Sequence, residues 1–193
     1  MKREIILASG SPRRKELLQK LGLRFRVMPS QYDEQLDDAR SPEAVAIELG
    51  LGKVMEIAER FPEAIVIGGD TIVTIDGKQL GKAADIDEAL AMWRLLAGRP
   101  HTVTTSVVVV CLAEQYESAV ADNTSVYMKP YDQAVIMTYL EQGTYVDKAG
   151  AYAIQDIPDL VERIEGDRET VLGLPTRLLT DPLQQLAYLH EVK

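Results

Sequence analysis

Apolar and polar positions alternate in blocks along this chain, and the period of the blocks changes from one to the next. Ile5–Ala8 is a short unbroken apolar run, the mark of a strand buried on both faces. Ser9-Gly10-Ser11-Pro12 breaks it. Ser11 suits the cap of a helix and Pro12 its first turn, with Leu17, Leu18 and Leu21 on one face and Gly22 as the stop. Phe25–Met28 predicts a second strand, and the polar stretch Ser30–Arg40 a loop. Ser41-Pro42-Glu43 opens a helix running to about Arg60, with Val45, Ile47, Leu49 and Val54 as core candidates. Ala64–Ile67 and Thr71–Ile75 predict strand on either side of Gly68-Gly69-Asp70, followed by a turn at Asp76-Gly77. Asp85 and Glu88 have the spacing of a capping box for a helix through Leu90, Trp93 and Leu96 to Gly98. His101–Leu112, rich in Val and Thr, predicts a long strand, and Glu117–Met128 its antiparallel partner. Tyr131–Gln142 reads as a helix closed by Gly143, Tyr145–Gln155 as irregular with some strand character, and Pro175–Leu189 as a C-terminal helix interrupted at Pro182. Alternating helices and strands around one long hairpin predict an α/β fold with a mixed twisted sheet and helices on both faces. The length, 193 residues, suits a single domain over 1–193.

Composition narrows the function more than the fold. Hydrophobic residues make up 46% and charged residues 26%, ordinary for a folded globular chain, which excludes disordered and coiled-coil readings. The longest apolar run, Val107–Ala113, falls far short of the roughly 20 residues of a membrane-spanning helix. Ile5–Ala8 is too short for the core of an export signal, so the cytoplasm is the expected setting. The net charge of −9 argues against a nucleic-acid partner, whose footprint is basic, and against an anionic membrane surface. The one cysteine, Cys111, rules out an intramolecular disulfide and reads as a small buried apolar residue.

The candidate chemistry lies in carboxylates, Arg and Lys. Arg13 and Arg14 fall in the first turn of the first helix, where a positive charge opposes the helix dipole. A helix N-terminus with free N–H groups binds anions, and Arg matches phosphate oxygens bidentately; the alternative is a solvated basic turn. Asp70 interrupts an apolar strand, which points either to a metal ligand or general base or to a turn carboxylate. Lys53 and Lys82 each follow a glycine, a weak sign of lysines reaching a phosphate, while Glu34 reads in isolation as part of a solvated acidic loop. Neither Gly50-Leu51-Gly52 nor Gly77–Ala83 completes a known phosphate-loop pattern. His101 and His190 lack zinc-ligand spacing, and His101 reads as a hydrogen-bonding residue at a strand start. Metal-assisted phosphate chemistry is what these residue types suit.

In combination the segments resemble the Maf family of nucleotide pyrophosphatases. Those carrying the likeness are Leu7–Leu18 (L-A-S-G-S-P-R-R-K-E-L-L), Gly68–Val73, Leu80–Lys82, Ala97–Thr105, Asp147–Gln155 (D-K-A-G-A-Y-A-I-Q) and Val171–Pro175. The resemblance implies two lobes around a nucleotide-binding cleft. It implies hydrolysis of a nucleoside triphosphate to monophosphate and pyrophosphate, with Mg²⁺ or Mn²⁺ as cofactor and a homodimer as an assembly. By matching position, Asp70 would be the proton acceptor. Arg13, Thr71 and Gln155 would tune the choice of base. Ser9, Arg14, Lys53 and Lys82 would bind phosphates, and Glu34 with Asp70 would meet the metal. The Y-x-I-Q form at Tyr152–Gln155 looks like the branch acting on dTTP and UTP. Rival readings are a pyrophosphatase for another, modified nucleotide, and a nucleotide-binding regulator without turnover. Ala83, Ser106, Asp156 and Thr170 depart from the family's usual residues, and Asp156 adds a negative charge beside Gln155.

Overall fold

The computed structural model describes residues 3–130 and 132–186. Its strands are β1 (Ile5–Leu7), β2 (Arg26–Val27), β3 (Ile65–Gly68), β4 (Thr71–Ile75), β5 (Lys78–Leu80), β6 (Pro100–Cys111), β7 (Tyr116–Met128) and β8 (Val161–Glu165). Its helices are α1 (Pro12–Lys20), α2 (Pro42–Ala58), α3 (Ile86–Leu96), α4 (Gln133–Glu141), α5 (Arg168–Leu172) and α6 (Thr180–Gln185). Local chemistry sets several of these starts. Ser11 and Ser41 cap α1 and α2 by accepting from Arg14 N–H at 3.4 Å and Ala44 N–H at 3.2 Å, each with Pro at the next position. Asp85 caps α3 by accepting from Glu88 N–H at 2.8 Å, and the Glu88 carboxylate reaches back to Ala84 N–H at 2.7 Å.

The sheet is mixed. β2 and β3 run parallel to β1, while β6 runs antiparallel to β3, β4 and β7. β3 and β4 lie end to end along one edge of β6, and β7 follows the whole of its other edge. Gly68 faces Val108 and Thr71 faces Thr105, so the register survives the break between β3 and β4 without an inserted residue. Asp70 occupies that break. Its N–H donates to Ser106 Oγ and its carbonyl accepts from Ser106 N–H, both at 2.9 Å. The break is a close approach of backbones: a Cβ on Gly69 would collide with the Ser106 carbonyl, and one on Gly50 of α2 would meet Ser106 Oγ at 2.5 Å.

Period-two alternation sorts the first half of the sheet onto two faces. Ile5, Leu7, Ile65, Ile67, Val107 and Val109 pack against α1 and α6. Ile6, Val66, Val108 and Val110 pack against Val54, Ile57 and Ala58 of α2. Helices therefore cover both faces, as the pattern predicts. A separate apolar cluster centres on Trp93 of α3, Tyr139 of α4 and Tyr152, where the aromatic rings meet edge to face.

Some elements differ from expectation. Asp76 (φ 50°) and Gly77 (φ 77°) form the predicted turn, but it leads into β5, which is too short to show as a pattern. β8 and α5 were not predicted: three of the five residues of β8 are charged, and it pairs with β7 only. Tyr145–Gln155 contains no strand, only an isolated bridge between Lys82 and Ala149. Ile47 is half-buried rather than core. Pro175 precedes a 3-10 turn at Thr176–Leu179, and Pro182 sits inside the first turn of α6, where its missing N–H costs no helical bond. The remainder of the expected last helix, at 187–189, the Tyr131 start of the expected fourth helix and His190 all lie outside the described residues.

Candidate functional site

A pocket of about 1070 Å³ opens beside the N-terminus of α1. Its walls come from the β1–α1 loop, the loop before α2, the start of β4, Gly81-Lys82 and parts of 146–154 and 171–173. Successive helical residues point about 100° apart, so the two arginines of the first turn diverge. Arg14 turns inward. Its Nε donates to Gly173 O at 2.7 Å, Nη2 to Thr71 Oγ1 at 3.0 Å and Nη1 to Ser9 Oγ at 3.3 Å. Gly173 ends α5 in the left-handed region at φ 101°, and that turn aims its carbonyl at Arg14. Thr71 Oγ1 also lies 3.0 Å from Thr105 Oγ1, which donates to Thr170 O at 2.7 Å. Burial lowers the Arg14 pKa, and the attraction of Asp70 opposes it. The guanidinium stays charged at neutral pH.

Within reach of the Arg14 charge runs a row of alternating charge. Lys53 Nζ donates to Asp70 Oδ1 and lies 2.7 Å from Glu34 Oε1; Lys82 Nζ lies 2.9 Å from Glu34 Oε2. The Lys53 and Asp70 side chains are only 11% and 10% exposed, so removing Lys53 would leave the Asp70 carboxylate buried without its ion-pair partner. Burial alone would raise the Glu34 carboxyl; hydrogen bonds from Lys53 and Lys82 outweigh it and hold the group below the usual carboxylate range. Asp70 Oδ2 accepts no hydrogen bond from the described residues. Glu34 is thus not the free acid of a solvated loop. The loop carrying it is tied to α2 by Ser30 Oγ, which donates to Glu56 at 2.6 Å, and to β5 by Asp38, which accepts from Gln79 N–H at 2.8 Å. Gly52 leaves room for the Tyr32 ring against α2. Gly50 and Gly52 serve packing rather than a phosphate loop.

The other wall carries Arg13 and Lys148. Burial lowers the pKa of each; Arg13 repels Lys148, and Asp156 attracts both. Behind them Tyr152 OH lies 2.6 Å from His101 Nε2. Burial pushes His101 down to about 4, so it is neutral at pH 7, in keeping with a hydrogen-bonding role at the start of β6. Ser9, Arg13, Arg14, Glu34, Lys53, Asp70, Thr71 and Lys82 all line the pocket. Gln155 does not: it is exposed on a turn closed by Asp156 N–H donating to Ala153 O at 2.9 Å, and the wall ends at Ile154. Lys148 lies within a recognised sequence segment, but only the loop geometry around it reveals that it faces the pocket.

No cluster of three or more His, Cys, Asp or Glu side chains that could cage a metal exists among the described residues. That donor set still fits a hard cation such as Mg²⁺, which takes one or two carboxylates and completes its shell with phosphate oxygens and water. Asp70 and Glu34, linked through Lys53, are a pair of pocket carboxylates that could hold it.

Comparison with known proteins agrees with this architecture. Residues 4–186 match the family model described as Maf-like protein. A dTTP/UTP pyrophosphatase of Thermoanaerobacter sp. (strain X514) is 44% identical over 184 residues, covering 94% of this chain and 96% of that protein. A dTTP/UTP pyrophosphatase of Pelotomaculum thermopropionicum is 39% identical over 187 residues, with 96% and 98% covered. One from Symbiobacterium thermophilum is 42% identical over 186 residues, with 96% and 95% covered. The chain belongs to the family of Maf-like proteins.

Proposed function

We propose that this protein is a nucleoside triphosphate pyrophosphatase acting on dTTP and UTP, which it splits to the monophosphate and pyrophosphate. The observation that carries this reading is the row Asp70–Lys53–Glu34–Lys82, together with Arg14, lining one pocket beside the α1 N-terminus. Such a row offers a carboxylate for a proton and several cations for phosphate oxygens. The names of the relatives at 39–44% identity supply the substrates.

In this reading the triphosphate lies along Ser9, Arg14, Lys53 and Lys82, with the first N–H groups of α1 facing it. Lys53 holds Asp70 Oδ1, which leaves Oδ2 to accept a proton from the attacking water. The water oxygen bonds to the α phosphorus as the α–β bridging bond breaks, and the electron pair departs on pyrophosphate. Lys53 and Lys82 exchange part of their contact with Glu34 for the leaving phosphates, where charge grows in the transition state. A divalent cation, Mg²⁺ or Mn²⁺, held by Asp70 and Glu34 would lower the pKa of the water and offset that charge when bound. Arg13, Thr71 and Gln155 bear on the choice of base.

The rest of the reading is broader. The chain acts as a single domain over 1–193, its two lobes corresponding to the Trp93-centred cluster and the cluster around β1 and β3 on either side of the pocket. It is a cytoplasmic homodimer without nucleic-acid or membrane partners. The net charge of −9 supports the absence of nucleic acid, and no helix among the described residues is long and apolar enough to cross a membrane. Incubating the protein with Mg²⁺ or Mn²⁺ and dTTP, UTP, CTP, ATP and GTP tests the function. Pyrophosphate release centred on dTTP and UTP is the expected result. Orthophosphate release overturns the assigned bond, activity centred on another nucleotide overturns the substrate, and nucleotide binding without turnover leaves a regulator.

A further inference from the structure

Two cations on the pocket wall differ from the rest. Lys53, Lys82 and Arg14 each have a protein partner within hydrogen-bond distance. Arg13 and Lys148 line the same pocket, half-buried, and neither side chain has an ion-pair or hydrogen-bond partner among the described residues. Lys148 is also held in place at some conformational expense. Asp147 (φ 64°), Gly150 (φ 68°) and Ala151 (φ 57°) are all left-handed, and such a backbone is uncommon for Asp and Ala. The surroundings enforce it. Gly150 N–H donates to Gly81 O at 3.0 Å, Lys82 bridges to Ala149, and Trp93 Nε1 donates to Ala151 O at 3.1 Å. Val73 packs so closely under Gly150 that a Cβ there would meet it at 3.1 Å. A loop strained and clamped in this way presents its one long side chain to the pocket in a fixed direction.

We propose that Lys148 is a specificity-determining residue, donating a hydrogen bond to the O4 carbonyl of a uracil or thymine base. The inference rests on the dTTP/UTP reading above and deepens it. A phosphate contact is the weaker alternative for Lys148. Lys53 and Lys82 meet Asp70 and Glu34 directly, whereas Lys148 feels Asp156 and Asp147, and Arg13 feels Asp156 and Glu16, only at longer range. Their neighbours on the wall include Tyr152 and Ile154, the apolar setting that a base needs, and Gln155 lies next along the chain. Lys and Arg side chains are donors only. Uracil and thymine present a carbonyl acceptor at position 4, where cytosine presents an amino donor. A lysine or arginine at this position therefore pairs with the first two bases and opposes the third. It also ignores the 5-methyl group, as acceptance of both dTTP and UTP requires.

The test uses full-length wild type, Lys148→Met and Lys148→Arg, with kcat/KM measured for UTP, dTTP and CTP and with inhibition by pyrophosphate. Circular dichroism melting confirms that the variants fold. Lys148→Met is expected to lose about 10- to 100-fold on UTP and dTTP, the range for one charged hydrogen bond. CTP should fall far less, pyrophosphate should inhibit as before, and Lys148→Arg should recover most of the UTP preference. Calorimetric binding of UMP over CMP should narrow in parallel. An equal fall on all three nucleotides with weakened pyrophosphate inhibition would mean a phosphate contact and overturn the proposal. An unchanged UTP-to-CTP ratio in a folded Lys148→Met overturns it as well, while leaving the pyrophosphatase reading standing. Wild type that turns over no pyrimidine triphosphate overturns both.

Discussion

The pocket carries two sets of charged side chains that are arranged differently. On one wall Asp70, Lys53, Glu34 and Lys82 are locked to one another, and Arg14 is locked to Ser9, Thr71 and Gly173. On the other, Arg13 and Lys148 face the pocket without protein partners among the described residues. Locked charges cost little to reorganise when charge develops on a substrate, which is what a chemical step needs. Unpaired donors gain their first full partner from the ligand, and an analogue that cannot supply it leaves them unpaired, which is what discrimination needs. In the proposed function the same residue types thus divide into a reacting wall and a reading wall.

The sharpest way to break this division is at Asp70. Asp70→Asn keeps the shape and the hydrogen bond that the residue 70 N–H donates to Ser106 Oγ, but removes the proton acceptor. Pyrophosphate release from dTTP should fall by about 10²- to 10⁴-fold, the usual worth of a positioned general base. The UTP-to-CTP binding preference should stay as it was. A variant that keeps its rate removes Asp70 from the reacting wall.

Next comes Lys53→Met. It leaves Asp70 buried beside Glu34 with no cation between them, and truncating one partner of such a buried pair costs about 3–5 kcal/mol. Urea unfolding at pH 7 measures it. Adding Asp70→Asn should return part of the loss, because the stranded charge is then gone. If the double variant is no more stable than Lys53→Met alone, the row is not a coupled unit.

The scaffold behind the reading wall has its own signature in acid. His101 is held neutral by burial, with its pKa pushed down to about 4 from 6.5, and its Nε2 meets Tyr152 OH. The unfolded chain binds the proton more readily, so this stability is complete above about pH 6.5. It is lost as pH falls from there through about 4, amounting to roughly 3 kcal/mol in full. Glu34, whose carboxyl is held low, adds loss in the same direction at still lower pH. Wild-type melting temperature should therefore decline between pH 6.5 and 4, and the decline should flatten in that window for His101→Phe. An equal decline in the variant would assign the acid sensitivity elsewhere.

How much of this could be read from the chain follows from how local each signal is. The long hairpin of β6 and β7 and the capped starts of α1, α2 and α3 are written in a few consecutive residues. So is the basic pair Arg13-Arg14, because it violates the helix dipole within one turn. Asp70 was visible as an interruption of an apolar strand, and its position in the break between β3 and β4 explains that interruption. Glu34 was not legible from the residues alone. What engages it is a pair of lysines from α2 and from the segment after β5, and no spacing in the chain encodes that meeting. Lys148 was hidden for a related reason. Its direction depends on left-handed backbone at Asp147, Gly150 and Ala151, and alanine gives no sign of such a conformation. β8 and α5 were missed because five-residue elements rich in charge carry too little periodicity to register.

The smallest effect separates the reading wall from its surroundings. Gln155 is a base-selecting residue only by what the sequence resemblance implies, and it is exposed on the Ala153–Asp156 turn and the pocket wall stops one residue before it. An exposed amide that exchanges water for ligand gains about 1 kcal/mol at most. Gln155→Ala should therefore change the UTP-to-CTP ratio by less than about fivefold, well below the effect at Lys148, with kcat on UTP almost unchanged. Kinetics with both nucleotides at matched metal concentration measures it. A change as large as that of Lys148→Met would require the Ala153–Asp156 turn to close over the base. It would also bring Asp156 to the ligand, and the reading wall would then have a moving part.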